Sequence, residues 1–193
     1  MLFRSAGETA NARLIADSIG DARYRVTALI STALAQASDG HEAAARQTLS
    51  DARATSQTIV QDYSRAYALS RVARGQAEIG AIEDARETTQ EVDREKLRAL
   101  ALWAIAASPA SLCGKTTACA DMTLAFAATR KIKNDLARIT LLADIAITRA
   151  QAGDRGAAIS LFDEALAVAV DLVKPWARAR ALSRLATTLS AIR

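Results

Sequence analysis

The chain has 193 residues, enough for one compact domain or a short repeat array. Apolar residues make up 51% and aromatics only 4%, with just 8 Gly and 2 Pro residues; alanine carries much of the apolar share, which excludes a turn-rich sandwich or barrel and points to long helices. A net charge of +4 is too small for the dense basic face of a nucleic-acid binder, and no charge-free apolar run reaches the length of about 18 residues that would span a bilayer.

At the N-terminus, Met1-Leu2-Phe3-Arg4-Ser5 lacks the apolar core of a signal peptide. A helix is predicted over 8–19, carrying Leu14, Ile15 and Ile19, and reads as the second helix of an incomplete leading repeat. A phrase then recurs. Arg25-Val-Thr-Ala-Leu-Ile-Ser-Thr-Ala33 is followed by Arg65-Ala-Tyr-Ala-Leu-Ser-Arg-Val-Ala73 and Arg98-Ala-Leu-Ala-Leu-Trp-Ala-Ile-Ala106. Arg138-Ile-Thr-Leu-Leu-Ala-Asp-Ile-Ala146 and Arg178-Ala-Arg-Ala-Leu-Ser-Arg-Leu-Ala186 complete the set, at intervals of 40, 33, 40 and 40. Leu four and Ala eight residues after each Arg form one apolar helical stripe. These copies predict helices over 22–37, 62–78, 95–108, 135–151 and 176–192.

Between them the phase continues. Gly40, Gly80 and Gly153 fall where a left-handed residue would end the preceding helix. Ala45, Ala85, Ala118 and Ala158 open a second stripe, continued by Leu49, Thr89, Met122 and Phe162. Second helices are therefore predicted over 42–57, 82–92, 116–131 and 155–172. One helix pair cannot bury both its faces, so neighbouring pairs must stack. Four of the phased arginines follow an acid, Asp21, Asp62, Glu95 and Asp135, at a spacing that pairs on a helix. Arg178 instead follows Lys174 and Pro175, so if any of these arginines is free to bind an anion, it is this one. From Lys174 to Arg193 there are five basic residues and no acid. That stretch reads as a solvated capping helix, or alternatively as a patch for an acidic partner or lipid surface.

Taken together, Ile145-Ala146, Gly153-Asp154, Ala158, Phe162 and Ala165-Leu166, repeated in phase, resemble the tetratricopeptide repeat. The likeness covers roughly residues 25 to 193. It departs from the family's period of about 34 residues, has Leu for the early aromatic, and lacks the junction Pro outside Pro175. The resemblance implies an all-α, right-handed α-solenoid of antiparallel helix pairs, about four pairs with N- and C-terminal flanking helices. The expectation is a single domain over 1–193, with repeats near 22–60, 61–93, 94–133 and 134–173 and a capping helix over 175–193.

The same resemblance implies a protein-binding scaffold whose first helices line a concave groove. Its family positions give Ile30, Leu34, Tyr67, Arg74, Leu100, Trp103 and Ile147, with Arg178 beyond them. Thr27 and Thr140 fall in the same set. Tyr67 and Trp103 are residue types that anchor interfaces, and equally types that fill the space between helices. The family's basic clamp for an acidic peptide terminus is not expected, because Ile30, Leu34 and Tyr67 occupy its positions. Such a groove suits an apolar strand or an amphipathic helix. Self-association is the alternative, since an incomplete leading repeat leaves an apolar face; a nucleic-acid-binding helical repeat is a third and less favoured reading, because the modest charge makes nucleic acid an unexpected partner.

Cys113 and Cys119 are the only cysteines. They are either free thiols or a disulfide that clips the third turn; the bridge would place the protein in an oxidising compartment, and its absence in the cytoplasm. With the lone His41 far along the chain they do not compose a zinc site, and no metal or cofactor is expected. Gly114-Lys115-Thr116 resembles the end of a phosphate-binding loop, but Pro109 stands where its first Gly belongs. One His and no paired carboxylates give no basis for catalysis, so no enzyme activity is expected.

Overall fold

The computed structural model describes residues 11–108, 110, 120–151 and 153–192. Among these there are ten helices and no strand. Helix α1 covers 11–18. It is followed by α2 (Ala22–Ser38), α3 (Glu42–Gln57), α4 (Asp62–Glu78), α5 (Ile82–Gln90) and α6 (Glu95–Ala107). Then come α7 (Ala120–Arg130), α8 (Asp135–Gln151), α9 (Arg155–Val170) and α10 (Pro175–Ile192). Pro109, Cys113, Gly114, Lys115, Thr116, Ala118 and Cys119 lie outside the described residues. The chain forms two compact units, Met1–Ala125 and Phe126–Arg193.

Two kinds of turn build the helix pairs. Three of the first helices, α2, α4 and α8, end on glycine at positive φ: Gly40 at 81°, Gly80 at 79° and Gly153 at 85°. At all three, the next residue's N–H reaches back to the start of the last turn, as in His41 to Gln36 O at 2.8 Å, Ala81 to Gln76 O at 2.8 Å and Asp154 to Arg149 O at 2.9 Å. This double closure satisfies carbonyls that a helix end leaves open, in a conformation that L side chains resist.

Four of the opposite turns, from second helix to first, are closed in one way by the recurrent arginine, while Arg138 reaches instead to Arg130 O, eight residues back, at 3.4 Å. Arg25 Nε donates to Ile19 O at 2.7 Å, Arg65 Nη1 to Ile59 O at 3.1 Å, and Arg98 Nε to Val92 O at 2.7 Å. Arg178 does the same to Leu172 O, through Nε at 3.0 Å and Nη2 at 2.7 Å. In these four cases the acceptor lies six residues before the Arg. Ile59, Val92 and Leu172 are themselves buried, so the clasp pins an apolar plug at the turn. α5 stops at Gln90, short of the predicted 92, because Glu91 and Val92 tighten onto Thr88 O and Thr89 O to bury Val92. The local acids play the smaller part: Asp62 and Asp135 pair with Arg65 and Arg138, while Asp21 takes Arg23 instead of Arg25.

In the first unit α2 packs on α3 and α4 on α5; α4 also touches α2 and α3, and α6 touches α4 and α5. Val26, Leu29, Leu49, Val72 and Ile105 are sealed from solvent. A Cβ on Gly75 of α4 would lie 3.2 Å from Leu49 Cδ2 and 3.5 Å from Ile30 Cγ2, so the missing side chain sets the approach of α4 to α2 and α3. In the second unit α8 packs on α9, and α10 touches both, around Ile139, Leu142, Leu161 and Leu185.

A cross-helix charge ladder adds to this packing. Arg13 of α1 reaches Asp51 of α3 at 2.6 Å, Arg53 of α3 reaches Glu87 at 3.2 Å and also Glu91 of α5, and Arg86 of α5 reaches Asp121 of α7 at 2.8 Å. In the second unit Arg130 of α7 meets Glu164 of α9 at 3.0 Å. The partners lie 34 to 38 residues apart in the chain. Sequence inspection at helical spacing misses them for that reason. The exposed rungs, Arg53–Glu87 and Arg130–Glu164, contribute up to about 1 kcal/mol each, whereas Asp121 is buried at its rung.

Repetition also exposes a flaw. Thr48 Oγ1 donates to Gln36 Oε1 at 2.8 Å in the first pair, whereas the equivalent Gln76 Oε1 and Thr88 Oγ1 in the second pair are buried with no protein partner. Thr48→Val should therefore cost about 1–3 kcal/mol, because it strands the Gln36 acceptor. Thr88→Val should stay within about 0.5 kcal/mol of wild type or gain stability. Urea unfolding of both variants checks this, and equal losses would contradict it.

Candidate partner-binding cleft

The chain contains three tyrosines, and all three line one cleft in the first unit. Its volume is about 260 Å³. α2 supplies Tyr24 from its first turn, and α4 supplies Tyr63 and Tyr67 one turn apart. The rings are open to solvent, at 67%, 65% and 49% exposure, above a floor that includes the buried Val26 and Ala68. Tyr combines a large apolar face with a phenolic donor and loses little conformational freedom on binding, which is why it recurs in contact surfaces.

Two arginines complete the lining. The Arg23 guanidinium lies 5.9 Å from the centre of the Tyr24 ring. It is also held by Asp21, Nη2 to Oδ2 at 2.6 Å, while Asp21 Oδ1 accepts the Arg23 backbone N–H at 2.9 Å and so caps α2. The Arg23 guanidinium hydrogen bond, with that backbone bond behind it, lowers the Asp21 carboxyl to about 2. The Arg23 charge is therefore matched locally. Arg71 differs. It is half-buried and donates from Nη1 to the Thr27 hydroxyl at 2.9 Å, and this neutral group is its one hydrogen-bond partner among the described residues.

The second unit provides an internal comparison, since α8 and α10 repeat the phase of α2 and α4. The cleft between them, about 410 Å³, is lined by Asn134, Leu136, Thr140, Arg180 and Arg184 among others. Ala137, Trp176 and Arg180 stand where the first unit has Tyr24, Tyr63 and Tyr67. Arg184 corresponds to Arg71, but it forms an ion pair with Asp144 of α8. The residue of α2 at the Asp144 position is Ser31, whose hydroxyl donates to Thr27 O at 3.2 Å. The two clefts thus share a backbone frame and differ in chemistry: one is aromatic with an uncompensated guanidinium, the other basic with an internal counter-ion.

The expected groove residues distribute unevenly over this geometry. Tyr67, with the Thr27 of the same family positions, lies in the aromatic cleft. Ile30 and Trp103 are core residues, at 5% and 4% exposure, and offer a partner almost no surface. Leu34 and Leu100 are half-buried against the apolar clusters of their helices. Arg74 is exposed on α4, and Ile147 is half-buried on α8. Arg178 is not the unengaged arginine of the expectation, since its Nε and Nη2 hold the Leu172 carbonyl. Tyr24 and Tyr63 were missed because both precede the phased arginine, ahead of the family positions. The available signal was the tyrosine count itself, with all three near the start of two successive first helices. Cys113 and Cys119 lie outside the described residues. Among the described residues no cluster of three His, Cys, Asp or Glu forms a metal site, and no helix is long and apolar enough to cross a membrane. Compared with known proteins, the chain matches no family model and no curated sequence.

Proposed function

We propose that this chain is a non-catalytic, protein-binding scaffold of tetratricopeptide-like helix pairs in a right-handed solenoid, and that it holds an extended peptide segment in the cleft between α2 and α4. The observation that carries this is the gathering of Tyr24, Tyr63 and Tyr67, the whole tyrosine content of the chain, as exposed rings around one concave space. Isolated exposed apolar residues are ordinary, but a clustered, concave aromatic surface favours a ligand. The neighbour pattern of each unit, in which helices touch the next and the next but one, supports the stacked-pair arrangement.

Selection of a random heptapeptide display library against the whole protein tests the function. Recovered peptides should bind wild type and lose at least about tenfold in affinity to Tyr67→Ala, the cost of an exposed aromatic anchor. Helical circular dichroism should be unchanged, because Tyr67 is half-exposed. If no peptide is recovered, or if binding ignores Tyr67, the proposal fails. Self-association has its own support in Val170, Val173 and Trp176, which are 56%, 89% and 61% exposed. A strictly monomeric mass by light scattering at high concentration would remove that second reading.

A further inference from the structure

We infer that the α2–α4 cleft selects an acidic side chain within an extended protein segment, with Arg71 receiving the carboxylate and the tyrosine rings receiving the flanking apolar residues. The inference rests on the peptide-binding reading above and specifies its ligand chemistry.

The argument comes from the two clefts of the same chain. Arg71 and Arg184 occupy the same place in their repeats, six residues after the clasping Arg65 and Arg178. A guanidinium held partly out of water is costly unless an anion answers it. The second unit supplies that anion from within, as Asp144. Three other half-buried arginines are answered in the same manner, Arg13 by Asp51, Arg53 by Glu91 and Arg86 by Asp121, whereas Arg25 and Arg98 are held at their turns by backbone carbonyls. In the first unit Ser31 stands at the Asp144 position, and Arg71 has the Thr27 hydroxyl in place of a carboxylate. The cleft lining contains Arg23 and Arg71 and no acidic residue, and Asp21 already neutralises Arg23. A ligand carboxylate is then the missing partner of Arg71. Planar guanidinium donors match a carboxylate well. An amphipathic basic ligand would meet Arg71 unfavourably, so charge also decides what is rejected.

The test uses two soluble peptides, acetyl-Phe-Glu-Phe-amide and its Gln twin, titrated into the whole protein and followed by NMR at the tyrosine rings and the Arg71 Nε–H. The Glu peptide should bind at least about tenfold more tightly than the Gln peptide, as expected for a charge-assisted hydrogen bond. Ser31→Asp, which installs the counter-ion found in the second unit, should bring that preference close to unity while the helical spectrum is retained. Arg71→Gln should abolish the preference as well, by removing the cation instead of answering it. A wild-type preference near unity overturns the inference, as does a preference that survives Arg71→Gln or an absence of saturable shifts with the Glu peptide. Library peptides that depend on Tyr67 but show no enrichment in acids would overturn it too, while leaving the peptide-binding reading standing.

Discussion

Trp103→Ala should destabilise the Met1–Ala125 unit by about 3–5 kcal/mol, the cost of emptying a large aromatic site in a packed interior. Trp103 lies on α6 at 4% exposure, in a helix whose Leu97, Ala101 and Ile105 are also buried. So large a loss is comparable with the whole stability of a small domain. The variant would therefore lose any partner by unfolding, and a failed pull-down with it would say nothing about a binding surface. Trp103→Phe, which keeps an aromatic ring in the site, should recover a substantial part of the loss. Urea titration followed by circular dichroism measures both, and a cost below about 1 kcal/mol for the alanine variant would contradict the core assignment.

The second large effect is expected at Leu49. Its side chain is fully buried on α3, and it fills the space left by the absent side chain of Gly75. Leu49→Ala should cost about 2–5 kcal/mol, set by how far the surroundings collapse. Gly75→Ala alone faces two opposed terms. It gains about 1 kcal/mol of helix propensity, but its methyl would sit 3.2 Å from Leu49 Cδ2. Removing that Leu eliminates the clash. Gly75→Ala should accordingly stabilise the Leu49→Ala background by about 1 kcal/mol or more, and do markedly less in wild type. A double-mutant cycle reads this coupling. Strict additivity would show that the two residues do not share the space.

The helices were legible in the sequence because their stripes are local. Leu29, Leu69 and Leu142, four residues after their arginines, are all buried, as are Ala33, Ala73, Ala106 and Ala146. The same phase fails in α10, where Leu182 is 40% exposed and Ala186 is exposed. The glycine turns were legible too, because positive φ singles out one residue type. The recurrent Arg was visible as a position but not as a clasp: its acceptor is a backbone carbonyl, which no side-chain pattern can reveal. Trp103 and Ile30 were read by type and family position, and type alone does not separate an anchor from a core residue. The charge ladder and the aromatic cleft depend on neighbours 34 or more residues away, which only the stacking of pairs brings into register.

Concentrating every phenol of the chain in a single concave space also gives the protein a built-in optical reporter. Nitration of tyrosine would place its nitrophenol chromophores in that space alone, and tyrosine ultraviolet difference signals would report on it. Ligand occupancy could then be followed in unmodified protein as protection of those rings, with Trp103 and Trp176 as silent internal standards at other places in the chain.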